Sequence, residues 1–136
     1  MAFNVFDDEK KKIPLTELRK LLWTNPDPTE SFSNQWIDLG VDISEFQCFE
    51  IVTLQGQVCR INGAEIGSGR SQVAIQQIRI SGSYVHVLTR DVTLDFEDNG
   101  ISISSCYYFN AATPSTAPVI DNLELMPIEV YGIRYE

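Results

Sequence analysis

Residues Val92 to Ile103 constrain the fold more than any other stretch of the chain. Val92, Leu94 and Phe96 alternate with Thr93, Asp95 and Glu97, Asp98-Asn99-Gly100 follows, and alternation resumes through Ile101, Ile103, Ser105 and Tyr107. A period of two belongs to an extended strand, whose successive side chains point to opposite faces. Asn-Gly tolerates the positive φ that a tight reversal needs. The segment therefore predicts an antiparallel hairpin with one buried face and one wet face.

The same punctuation recurs. Asn62-Gly63 and Ser81-Gly82 each separate short runs rich in β-branched and aromatic residues, which predicts two further hairpins. Around Ser81-Gly82, Ile78 and Ile80 share a face with Val85 and Val87, leaving Arg79, Tyr84 and His86 to the other. Gln35 to Leu39 alternates Ile37 and Leu39 with Asp38, Phe46 to Leu54 reads as a central strand, and Leu123 to Leu125 and Ile128 to Tyr135 supply the last strands. Pro26 and Pro28 mark residues 25–33 as a loop, and Pro114 and Pro118 mark residues 111–122 as a long exposed one. Roughly eight strands in one domain suit two antiparallel sheets packed face to face. The expectation is all-β: an antiparallel β-sandwich, jelly-roll-like, over residues 23–136.

Residues 1–22 read differently. They carry all four lysines and Arg19 against four acids, whereas the remaining residues hold five arginines against fifteen acids. Leu15, Leu18, Leu21 and Leu22 recur at spacings of three, three and one, consistent with a short amphipathic helix starting at Pro14. One reading is an attachment arm whose leucines are assembly contacts on a neighbouring subunit. The other is a helix or extended lead-in lying against its own domain.

Charge and composition exclude several classes. A net charge of −9 is opposite in sign to a phosphate-binding surface, so no nucleic acid is expected as a partner. No run approaches the roughly 20 apolar residues of a membrane span, so no membrane insertion is expected. MAFNVFDDEKKK lacks the basic-then-apolar order of a secretory signal, so export is not expected. Cys48, Cys59 and Cys106 form no Cys-x-x-Cys pair and read as reduced thiols.

The sequence points to no catalytic residue, cofactor or metal. His86 is the only histidine available as a base for a nucleophile or as an imidazole ligand, and its strand pattern places it at a surface or edge. Asp95 to Gly100 resembles the front of a calcium loop, but its twelfth position is Cys106 where a bidentate glutamate is required. Gly67-Ser68-Gly69-Arg70 lacks the Lys-Ser/Thr of a phosphate cradle. No motif singles out a pair among the nineteen acids for glycoside hydrolysis. Exposed aromatics remain, because sugars stack on them. Trp23 and one of Tyr107 and Tyr108 are assigned to the core, since neighbours in a strand face opposite sides. Tyr84 and Tyr108, with His86, are then the candidate ligand or receptor surface.

Leu22-Trp23-Thr24-Asn25-Pro26-Asp27-Pro28, with Phe32 and Gln35-Trp36-Ile37-Asp38-Leu39, resembles the opening of small β-rich modules in tail-associated and other minor structural proteins of bacteriophages. Pro127-Ile128-Glu129-Val130-Tyr131-Gly132-Ile133-Arg134 is similar to the Ile-Tyr-Gly-Ile ending of such modules. The resemblance implies a non-enzymatic virion protein: a fibre, receptor-binding or tail-associated module, commonly homotrimeric, attached through a short N-terminal segment to other virion proteins and able to meet a host cell-surface glycan. The alternatives are a decoration subunit binding only virion neighbours, and a free carbohydrate-binding module.

Overall fold

The computed structural model describes residues 3–6, 12–62, 72–82, 84–110, 116–118 and 123–136. The strands are β1 (Phe3–Phe6), β2 (Lys12–Leu15), β3 (Glu17–Thr24), β4 (Gln35–Asp38), β5 (Cys48–Thr53), β6 (Val58–Asn62), β7 (Gln72–Ser81), β8 (Tyr84–Asp95), β9 (Gly100–Ile103), β10 (Tyr107–Asn110), β11 (Thr116–Pro118) and β12 (Pro127–Tyr135). A 3-10 turn, Ile43–Glu45, is capped by the Asp42 carboxylate, which accepts from the Ser44 amide. Two antiparallel sheets pack against each other as an all-β sandwich, and β1 and β2 pair separately.

The four-stranded sheet runs β3-β12-β5-β6. The apolar run at residues 46–54 thus forms an interior strand, with Phe49 and Ile51 turned into the core and fully buried. The larger sheet is organised by the twelve-residue β8. β7 pairs along one side of it, while β10 and β9 share the other side, with β11 outside β10 and β4 outside β9. Ile75, Leu88, Val92, Leu94, Ile101, Ile103 and Ile37 face Phe49, Ile51, Ile61 and Val130 of the other sheet across the core.

The hairpin expected around Asp98-Asn99-Gly100 is present: Asp95 pairs with Gly100, Leu94 with Ile101 and Val92 with Ile103. Asn99 takes a positive φ of 53°, and Leu39 N–H donates to its carbonyl at 3.1 Å. The Ser81-Gly82 reversal is also present, Ser81 pairing with Tyr84. Of the hairpin expected at Asn62-Gly63 only the first arm is described: β6 pairs with β5, and the next described strand, β7, pairs with β8 in the other sheet. Gly63 itself lies outside the described residues. A sharp reversal precedes β6, where Gly56 takes φ +89°.

Residues 17–22 are not helical. β3 pairs with β12 from Tyr135↔Glu17 to Glu129↔Thr24, and the division between residues 22 and 23 falls inside it. A helix of two or three turns has little stability of its own, whereas the extended chain satisfies its backbone on β12. The extended lead-in lying against its own domain is what forms here. The loop expected at residues 111–122 contains β11, paired with β10; residues 111–115 and 119–122 lie outside the described residues.

Two polar side chains hold the irregular segments. Asn25, nearly buried, donates from Nδ2 to the Pro127 carbonyl at 2.9 Å and accepts the Asp27 amide at 2.9 Å, so the loop after β3 is fixed to the start of β12. Arg90 is fully buried on the inner face of β8. Its guanidinium donates to the carbonyls of Glu124 (3.0 Å), Phe32 (2.6 Å) and Ser104 (2.9 Å) and lies 5.5 Å from the Phe32 ring. Burial pulls its pKa below the ordinary guanidinium value.

Candidate functional site

The inner parity of β8 is set by Leu88, Arg90, Val92 and Leu94, all buried. Pairing with β7 runs without a shift from Thr93 to Tyr84, so the same parity extends to His86. Ile78, Ile80, Val85 and Val87 therefore lie on the outer face, and the polar partners lie on the core side. This reverses the expectation from local hydrophobicity: Ile78 is 66% exposed and Ile80 76%, with Val85 also exposed. Arg79, on the core side, forms an ion pair with Glu124. Their hydrogen bond raises the arginine pKa.

The sequence-derived candidates only partly meet. Tyr108 pairs with Leu88 and His86 with Asn110, which puts the two rings on one face with centroids 6.0 Å apart and planes tilted by 32°. Tyr108 is exposed and His86 half-buried. The side chain of Tyr84 lies outside the described residues, as does that of Leu15. Leu18 and Leu21 are exposed on edge strand β3, whereas Leu22 packs against the core. Trp23 packs there too, edge-on to Phe32 at 6.3 Å.

A second polar cluster occupies the outer face of the four-stranded sheet. Glu50 accepts from Arg60 (2.6 Å) and pairs with Arg19 (2.9 Å), and the Arg19 guanidinium lies 3.9 Å over the Tyr131 ring. The Cys48 thiol is 3.9 Å from the Tyr135 hydroxyl. Desolvation, the largest influence, pushes the Cys48 thiol above its ordinary pKa and so disfavours the thiolate that nucleophilic chemistry needs. With both guanidinium groups committed to Glu50, the cluster acts as a cross-strand brace over β3, β5, β6 and β12.

Among the described residues, a concavity lies on the outer face of the larger sheet, at the opposite end of β8 from Ile80. It has a volume of about 330 Å³ and is lined by Asn34, Gln35, Trp36, Asp91, Thr93, Ser102, Ile103 and Ser104. Trp36 pairs with Ser102, and Ser102 with Thr93, so indole and hydroxyls form one cross-strand row. The indole is 49% exposed. A Cβ at Gly100 would collide with its Cε2, Cζ2 and Nε1, so the ring lies against the β9 backbone on one side and faces solvent on the other. Ser104 is fixed: its hydroxyl accepts the Asp91 amide at 2.8 Å and donates to the Ser105 carbonyl at 2.8 Å.

Trp36 is the residue that sequence reasoning missed. The signal was present in Gln35-Trp36-Ile37-Asp38-Leu39, where alternation places Trp36 with Asp38 and opposite Ile37 and Leu39. Among the described residues no group of three or more His, Cys, Asp or Glu side chains is arranged to hold a metal ion, and no helix is long and apolar enough to cross a membrane. Compared with protein-family models, curated proteins and solved structures, the chain matches none.

Proposed function

We propose that the chain is a non-enzymatic structural protein of a bacteriophage virion, a fibre, receptor-binding or tail-associated module that acts in particle assembly and host-surface attachment as a homotrimer. The observation that carries the reading is the apolar strip on the outer face of the β7–β8 hairpin. Ile78, Ile80 and Val85 are β-branched, share one face and are exposed in the single chain. Contiguous exposed apolar surface favours contact with another protein, here another copy of the chain or a virion neighbour. The residues that carry the phage resemblance support the reading as framework: Trp23 pairs with Val130, and Asn25 bonds the Pro127 carbonyl.

The test is light scattering on the purified chain, its Ile80→Glu variant and a form starting at Thr16, together with mass spectrometry of purified particles. Truncation at residue 22 would remove most of β3, whereas a start at Thr16 keeps its backbone bonds to Glu136. A trimer that Ile80→Glu dissociates, with the chain present in particles, is the expected result. A monomer at every concentration refutes the trimer, and absence of the chain from particles refutes the virion assignment. A decoration subunit is the second reading, favoured by Leu18 and Leu21 exposed on β3; a monomeric chain that still occurs in particles would select it.

A further inference from the structure

We infer that the concavity around Trp36 is a binding site for a neutral pyranose, the sugar unit through which the chain meets a glycan surface. The inference rests on the attachment reading above and gives it a ligand class and a place. Its volume of about 330 Å³ lies at the small end of ligand pockets, which suits one sugar ring. One indole face is fixed against Gly100 and the other is open, so a flat apolar platform is already in place before binding. The C–H face of a pyranose matches such a platform, and its hydroxyls need donors and acceptors around the rim. Asp91, Thr93 and Ser102 supply both, and their side chains make no hydrogen bond or ion pair to another described residue.

Charge narrows the class. Asp91 places a carboxylate beside the platform and the whole chain carries a net charge of −9, so sialic acids, phosphorylated polyols and nucleotides are disfavoured although some of them also stack. Among the described residues, no arginine or lysine lines the concavity to compensate an anion. A proline-rich peptide also packs on indole, but it calls for an aromatic-lined groove, and Trp36 is the single aromatic residue among the described residues that line the concavity. One ring and a few polar groups give a weak site, in the millimolar range, that becomes useful when several copies act together.

The experiment is NMR titration of the full-length ¹⁵N-labelled chain with glucose, galactose, N-acetylglucosamine and rhamnose, using N-acetylneuraminic acid and glycerol phosphate as anionic controls. At least one neutral pyranose is expected to shift the Trp36 indole N–H and the amides of Thr93, Ser102 and Ser104, while the controls do not. Trp36→Ala removes the platform. Ser102→Arg leaves it in place but lays a guanidinium over the indole, blocking the sugar through a cation–π contact. Each variant is expected to lose at least about tenfold in affinity with the rest of the spectrum unchanged.

The inference is overturned if no neutral pyranose shifts these signals, if the shifts survive both substitutions, if they centre on His86 and Tyr108, or if the anionic controls bind better. Particle mass spectrometry separates the two readings. Sugar binding with no chain in particles keeps the site and ends the virion assignment, and the converse result keeps the assignment and ends the site.

Discussion

Gly132→Ala is a direct probe of how the sandwich closes. Gly132 lies mid-strand in β12, opposite Phe49, and a Cβ built there falls 2.7 to 2.8 Å from Cδ1, Cε1 and Cγ of Phe46. Carbon atoms in contact prefer about 3.5–4.0 Å, so the ring must retreat by roughly 0.8 Å. It has little room to do so. Phe46 is edge-on to Phe49 at 5.8 Å, and its backbone is pinned by Phe46 N–H to the Ile43 carbonyl (3.3 Å) and Gln47 N–H to the Ile133 carbonyl (2.9 Å). Overpacking of this kind costs about 1–3 kcal/mol, offset by about 0.5–1 kcal/mol because alanine loses less chain entropy than glycine. The net expectation is a loss of about 0.5–2 kcal/mol, or about 2–10 °C in Tm for a chain of this size. Urea unfolding of wild type, Gly132→Ala, Phe46→Val and the double variant measures it, with an unchanged m-value. In the Phe46→Val background the alanine should cost nothing or stabilise. Equal losses in both backgrounds, or a neutral Gly132→Ala, would refute the idea that Phe46 is what keeps this position glycine.

Three further outcomes follow from the packing. Arg90→Lys should cost about 2–4 kcal/mol by urea unfolding, since one ammonium cannot reach the carbonyls of Phe32, Ser104 and Glu124 together. Asn25→Asp exchanges the donor facing the Pro127 carbonyl for a carboxylate and should cost about 2–3 kcal/mol at neutral pH. Burial raises the pKa of that new carboxylate, so the penalty should shrink as pH falls and it protonates; a penalty that grows in acid would refute the assignment. Asp27 and Asp42 are held below the ordinary aspartate pKa by hydrogen bonds from Thr29 and Ser44. A depressed folded-state pKa stabilises above the unfolded value, and the contribution is lost as pH falls through the folded value. Asp42→Asn should therefore flatten the acid limb of a stability–pH curve, and an unchanged limb would show that its cap carries no linkage.

The fold class was legible because alternation and Asn-Gly chemistry agree from Val92 to Ile103, where Val92, Leu94, Ile101 and Ile103 are all buried. Local pattern failed where a long-range partner decided the outcome. Residues 17–22 have helical leucine spacing, yet β12 offers a complete edge to pair with, and nothing within those residues announces it. Around Ile78 and Val85 the error was one of face. Their hydrophobicity argued for burial, but the parity of β8 is dictated several residues later by Leu88 to Leu94, and an unbroken strand cannot change sides. Arg90 shows the same principle: it holds an inward position in β8 that distant carbonyl partners, those of Phe32, Ser104 and Glu124 among them, make tolerable. Trp36 was legible: its alternation with the buried Ile37 and Leu39 places it on the outer face, where it is exposed.

The parity of β8 also relates the two surfaces that the proposals use. Val85, beside Ile80, and Thr93, beside Ser102, lie on the same outer face of one strand, eight residues apart. At about 3.3 Å per residue that separation is roughly 26 Å. A neighbouring chain seated on Ile78, Ile80 and Val85 would therefore leave Trp36 uncovered. Assembly and sugar binding then become separable by mutation: Ile80→Glu should change mass without changing the Trp36 titration, and Trp36→Ala should do the reverse. If either substitution altered both readouts, the outer face would have to be treated as a single interface, with Trp36 part of the protein contact and unavailable to a glycan.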